Sequence, residues 1–87
     1  MNEFLKQNNL TKLYTQLIEY IKIEIPDYIK IETEVIKEEN KCWIYITTTD
    51  IIYSDIFNRL VKLRKSCNLF KHQLINKHIL LTGFTNN

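Results

Sequence analysis

Hydrophobic residues recur at helical spacing in the first third of the chain. Over residues 10–25 they fall on one face of a helix, with polar side chains on the other face. Pro26 disfavours helical backbone in the residue before it, so we expect the helix to end there. Phe4 and Leu5 precede this helix and are expected to fold back onto the core as a short leading turn. The predicted core face of the helix consists of Leu10, Leu13, Tyr14, Leu17, Ile18, Ile21 and Ile25.

After Pro26 the hydrophobic period changes to two, which is typical of strands with one solvent-facing side. One strand is predicted over residues 29–35 and a second over 42–47, joined by a charged turn. The side that faces the core is expected to carry Ile29, Ile31, Thr33, Val35, Cys42, Ile44 and Ile46. The opposite side is expected to carry Lys30, Glu32, Glu34, Trp43, Tyr45 and Thr47.

A second amphipathic helix is predicted to begin after Thr49 or Asp50, either of which can cap it, and to run to about residue 67. Residues 69–77 have an ambiguous pattern that fits either further helical turns or a loop. Residues 78–84 predict a last strand. The apolar stripe of the second helix is expected to contain Ile52, Ile56, Phe57, Leu60, Val61, Leu63 and Cys67.

The predicted order is helix, strand, strand, helix, a short optional helix, strand, and it indicates an α+β fold. A hairpin followed by a right-handed crossover gives a three-stranded mixed sheet with the helices on one face. At 87 residues the chain accommodates one domain, residues 1–87. The order resembles, in topology alone, type II KH domains and ferredoxin-like folds that lack their first strand. KH domains clamp nucleic acid with a Gly-x-x-Gly loop, whereas the corresponding junction here, residues 65–70, contains no glycine.

Composition favours a folded domain, because 45% of the residues are hydrophobic and the chain has one glycine and one proline. No apolar run reaches the roughly 18–20 residues that a membrane span needs. The N-terminus lacks the basic start and apolar stretch of a secretory signal. Two cysteines are too few for the disulfide framework of a small secreted protein. We therefore expect reduced thiols and a cytoplasmic location.

Few residues suggest catalytic or metal chemistry. A single glycine, Gly83, excludes a glycine-rich phosphate loop. Cys67, His72 and His78, with Cys42 as a distant fourth, are spaced too loosely for a typical zinc site. Cys67 also continues an apolar stripe, where a cysteine usually packs as a small hydrophobic residue. We expect no metal, no cofactor and no enzymatic activity, and a thiol-dependent enzyme is the remote alternative.

The net charge of +2 conceals an asymmetry between the two parts of the chain. Residues 1–55 carry a net charge of −4, and residues 56–87 carry +6 with no acidic residue. A basic helix face can neutralise phosphates, so KH-like nucleic-acid binding is the alternative hypothesis for function. Its candidate residues are Arg59, Lys62, Arg64, Lys65 and Lys71.

The first hypothesis for function concerns the side of the sheet opposite the helices. Trp43 and Tyr45 are expected there, beside Lys30 and Glu32. Exposed tryptophan and tyrosine are common in protein interfaces, and acidic neighbours disfavour nucleic acid at this face. The sequence therefore predicts a small non-enzymatic adaptor domain that binds a protein, a second copy of itself included. The contact would use this face or a free sheet edge.

Overall fold

A computed structural model describes residues 1–50 and 53–85 of the chain. None of the helices in these residues is both long and apolar enough to cross a membrane. The described residues form four helices, three strands and two 3-10 turns, the turns being Lys37–Glu39 and Asn68–Lys71. The helices are α1 (Asn2–Gln7), α2 (Thr11–Glu24), α3 (Tyr53–Ser66) and α4 (Gln73–His78). The strands are β1 (Tyr28–Ile36), β2 (Lys41–Thr48) and β3 (Ile79–Thr85).

The three strands form one mixed sheet in the order β1-β2-β3. β1 and β2 pair antiparallel through a tight connection, and β3 pairs parallel to β2. A parallel neighbour requires a crossover connection, which α3 and α4 supply. The predicted α+β fold with a three-stranded mixed sheet is therefore confirmed. The topology is compatible with both the type II KH and the truncated ferredoxin-like arrangement.

The hydrophobic core lies between the helices and one face of the sheet, here called the inner face. Phe4 and Leu5 of α1 are 7% and 4% exposed, so the leading segment folds back onto the core as expected. The deepest layer comes from alternate residues of β2 and from one stripe of each long helix. Its members include Leu17, Ile21, Cys42, Ile44, Ile46, Ile56, Leu60 and Leu63.

Gly83 lets α3 approach β3 closely. A Cβ atom at this position would lie 2.5 Å from Cγ1 of Ile56 and 3.0 Å from Cδ1 of Leu60. Ile56 is fully buried, so its side chain has little room to move away. The glycine is thus a requirement of helix–strand packing.

The prediction that Ile29 faces the core was wrong. The pairing of β1 with β2 shifts between Tyr28 and Lys30, so that Tyr28 pairs with Thr48 while Lys30 pairs with Thr47. A bulge of this kind adds one residue to one strand and changes which side the preceding residues face. Tyr28 packs against the core in place of Ile29, which is 44% exposed.

The predicted apolar stripe of α3 was too wide. Ile56, Leu60 and Leu63 are buried, and Cys67 just beyond the helix is buried with them. Phe57 and Val61 are 54% and 36% exposed. On a helical wheel, Phe57 lies about 90° and Val61 about 130° from the centre of the buried stripe. Ile52, the remaining member of the predicted stripe, lies outside the described residues.

Residues 68–78 form a 3-10 turn and α4, which settles the segment that the sequence left ambiguous. His78 ends α4 instead of starting the last strand, and it is 5% exposed. Its Nδ1 lies 2.8 Å from the carbonyl oxygen of Asn40, and its ring meets Phe4 edge-on at 6.3 Å between centroids. The histidine therefore joins α1, α4 and the β1–β2 connection.

Candidate interaction surface

Three aromatic rings form a contiguous row on the outer face of the sheet, opposite the helices. Trp43 and Tyr45 of β2 are nearly parallel, with ring centroids 6.2 Å apart and planes 10° apart. Tyr45 is 5.7 Å from the ring of Phe84 on β3. We call these three residues the aromatic row. Because side chains alternate along a strand, Trp43 and Tyr45 of β2 lie on the same side of the sheet. The pairing of β3 with β2 brings Phe84 next to them.

The aromatic row is open to solvent. Phe84 is 48% exposed, and Trp43 and Tyr45 are partly exposed. The sequence predicted the positions of Trp43 and Tyr45 but missed Phe84. Alternation from Gly83, which belongs to the inner face, was the available signal, because it leaves Phe84 on the outer face.

Charged residues of β1 border the aromatic row. Glu32 pairs across the strands with Tyr45, and Glu34 pairs with Trp43. The hydroxyl of Tyr45 donates a hydrogen bond of 2.7 Å to Oε1 of Glu34, and this bond raises the pKa of Tyr45. Lys30 Nζ lies 3.2 Å from Oε1 of Glu32, and both side chains are about 60% exposed. The outer face therefore combines an aromatic centre with a border of both charge signs.

Arg59, a candidate for phosphate binding, is held by two carboxylates of its own chain. Its guanidinium makes a bidentate pair with Asp27, and it also donates to Asp50 Oδ2 at 3.0 Å. The hydrogen bonds from Arg59 lower the pKa of Asp27 to about 2. The same contacts raise the pKa of Arg59. This arginine is therefore already neutralised within the fold.

The basic candidates do not all share one face of α3. Arg64 lies on the flank of α3 opposite Arg59, where its Nη2 donates to the carbonyl oxygen of Leu81 at 3.0 Å. Its guanidinium also lies 6.0 Å from the ring centre of Phe70. Lys62, Lys65 and Lys71 are exposed, and within the described residues no ion pair involves them.

The thiol and histidine candidates are separated from one another. Within residues 1–50 and 53–85, no three His, Cys, Asp or Glu side chains are placed to hold a metal ion. Cys42 and Cys67 are buried and free. Burial raises the pKa of the Cys42 thiol, which disfavours the reactive thiolate. His72 is exposed and accepts a hydrogen bond from the Leu74 amide, so it caps α4.

Comparison of this chain with protein-family models, with curated proteins and with solved structures found no match. The most distinctive surface of the chain is the aromatic row with its charged border.

Proposed function

We propose that this protein is a small non-enzymatic binding domain that recognises a protein partner through the outer face of its sheet. The observation that carries the proposal is the aromatic row, formed by Trp43, Tyr45 and Phe84. Three large adjacent rings open to solvent are unusual on a small monomeric domain. Aromatic side chains are enriched at the centres of protein interfaces, where they account for much of the binding energy.

The surroundings of the aromatic row support a protein partner. Lys30, Glu32 and Glu34 form a charged border, and interfaces commonly combine an apolar centre with a polar rim. Tyr45 is held by its hydrogen bond to Glu34. A side chain that is already fixed loses less conformational entropy when a partner binds. The surface is thus partly organised for binding before any partner arrives.

The outer face is a poor match for nucleic acid. Glu32 and Glu34 would repel phosphates next to the rings on which bases would stack. On α3, Arg59 is neutralised by Asp27 and Asp50, which leaves Arg64 and the exposed lysines to carry any phosphate contacts. These observations favour a protein partner over the KH-like alternative.

The buried thiols support the non-enzymatic and cytoplasmic parts of the proposal. Cys42 and Cys67 are enclosed in the core, where a substrate would not reach their sulfur atoms. Both are unpaired, which fits a reducing compartment such as the cytoplasm.

A pair of matched double variants tests the proposal. Trp43→Ser/Phe84→Ser removes two rings of the aromatic row, and Lys62→Ser/Lys65→Ser changes exposed residues of α3. We expect quantitative cross-linking in extracts of the source cells to lose specific protein partners with the first variant and to retain them with the second. Binding of purified partner should also shift the fluorescence of Trp43, the only tryptophan in the chain.

The opposite pattern would overturn the proposal. Partners that survive the loss of both rings would place the binding surface elsewhere. Bound nucleic acid that dissociates steeply with salt, and is lost in Lys62→Ser/Lys65→Ser, would support the KH-like alternative instead.

A further inference from the structure

The two free edges of the sheet differ in how they are protected. At β3, Arg64 donates a hydrogen bond to the backbone carbonyl of Leu81, so a charged side chain covers part of that strand. At β1, within the described residues, no side chain forms a hydrogen bond with the backbone on the free side of the strand. An uncovered strand edge is a template for pairing with another strand. β1 has a bulge between Tyr28 and Lys30 and charged side chains on its outer side, which limit pairing, but no side chain covers its backbone edge, so it is the edge that can accept a strand.

Apolar surface lies beside the free edge of β1. An open groove of about 450 Å³ separates this strand from α2, and Ile31 in its wall is only partly buried. Ile29, at the bulge, is 44% exposed. The groove is lined mainly by Tyr14, Ile18, Lys22, Tyr28, Ile31 and Thr33. A strand added at β1 would cover this apolar surface as well as the backbone groups.

The charges beside this edge are of both signs. The outer side of β1 presents Lys30 and Glu32, and the α2 side of the groove presents Glu19 and Lys22. A partner of a single charge sign would face repulsion from one member of each pair. A second copy rotated by a twofold axis offers both signs in reversed order, as an isologous interface requires.

We propose that two copies of this chain associate by antiparallel pairing of their β1 strands. With Ile31 opposite Ile31 of the partner subunit, Lys30 faces Glu32 of the partner subunit, and the same pair forms again across the twofold axis. Opposite charges at directly paired positions stabilise antiparallel strands. A shift of one residue on each copy would keep two attractive pairs, Lys30 with the partner's Glu34, but would add a repulsion between Glu32 and the partner's Glu32, so the charges favour the first register. The aromatic row stays exposed in this association, which shares only the border residues Lys30 and Glu32 with the proposed binding surface.

Charge reversal tests the pairing. Lys30→Glu and Glu32→Lys each replace two attractive cross-strand pairs with two repulsive ones. We expect sedimentation equilibrium to show a concentration-dependent dimer for the natural chain and a dissociation constant about tenfold weaker for each variant. Both side chains are about 60% exposed, so urea unfolding at a concentration where every chain is monomeric should be similar for each variant and the natural chain, and it serves as the folding control.

Mixing the two variants gives the sharper result. The glutamate introduced at position 30 of one chain then faces the lysine introduced at position 32 of the other, and the natural Glu32 and Lys30 also face each other. We expect native mass spectrometry, with one variant labelled with ¹⁵N, to show predominantly mixed dimers. The double variant Lys30→Glu/Glu32→Lys should pair with itself as well as the natural chain does.

Three outcomes would overturn the inference. A monomer at all accessible concentrations would show that β1 does not pair with itself. A random distribution of labelled and unlabelled chains would show that these charges do not face each other. A dimer that withstands the charge reversals but dissociates in Trp43→Ser/Phe84→Ser would place the contact on the outer face, and would support the proposed function while rejecting the β1 pairing.

Discussion

The guanidinium of Arg59 and the carboxylate of Asp27 form a bidentate pair that joins the middle of α3 to the turn before β1. The same guanidinium reaches Asp50, just after β2. The three side chains are 20–40% exposed, so solvent screens them only in part. This cluster ties together three segments that are distant in sequence, and it explains why Arg59 is unavailable for phosphate binding.

Asp27→Asn should reduce stability in a pH-dependent way. The pKa of Asp27 is lowered from 3.8 to about 2 by Arg59, so the ionised carboxylate favours the folded state. The ionised carboxylate stabilises the fold fully above the pKa that Asp27 has in the unfolded chain, and this stabilisation is lost as pH falls towards about 2. At neutral pH we expect the variant to be less stable by about 1 kcal/mol, a modest value because the carboxylate is partly exposed. Urea unfolding from neutral to acidic pH should show the difference disappearing between about pH 4 and pH 2.

Glu38→Gln provides the control for this titration, because Glu38 is exposed in the β1–β2 connection and makes no ion pair among the described residues. It should leave the pH profile close to that of the natural chain. Parallel profiles for Asp27→Asn and the natural chain would contradict the assigned role of the pair.

Glu34→Gln should lower the pKa of Tyr45. The hydrogen bond to Glu34 and the negative charge of that carboxylate both raise it in the natural chain. The ring of Trp43 lies 6.2 Å away, close enough for an ionised tyrosine to quench its fluorescence. An alkaline titration of this fluorescence should therefore show a midpoint at lower pH in Glu34→Gln than in the natural chain. Tyr45→Phe should lose the transition, and a transition that persists in that variant would assign the quenching to another tyrosine.

Gly83→Ala should destabilise the fold by about 1–3 kcal/mol, the usual cost of overpacking a core. The added methyl group would lie 2.5 Å from Cγ1 of Ile56 and 3.0 Å from Cδ1 of Leu60, so α3 would have to move away from β3. Thermal or urea unfolding measures the loss. Thr82→Ala, next to it on the opposite face of β3, is the matched control and should cost less than Gly83→Ala. Equal stability of the two variants would mean that the helix shifts without strain.

The candidate surface was partly visible in the sequence. Alternation along residues 42–47 correctly placed Trp43 and Tyr45 on the face away from the core, because neighbouring residues of a strand point to opposite sides. Alternation from Gly83 could have assigned Phe84 to the outer face, but its contact with Tyr45 depends on how β3 aligns with β2. Ile29 was misplaced for a related reason: the bulge that turns it outward arises from strand pairing and leaves no mark in the hydrophobic period.

The sequence by itself determined the two long helices, the three strands, their order, the α+β fold with its mixed sheet and most of the core, while the helical state of residues 73–78 stayed open. These properties depend on local periodicity, which a single chain displays directly. Only the tertiary structure decided that Arg59 pairs with Asp27 and Asp50, that His78 is buried and bonded to the Asn40 carbonyl, and that Phe57 stays exposed. Each of these outcomes depends on which distant segments meet and in what register. That information lies in the packing of whole elements against one another and not in the spacing of residues within any one of them.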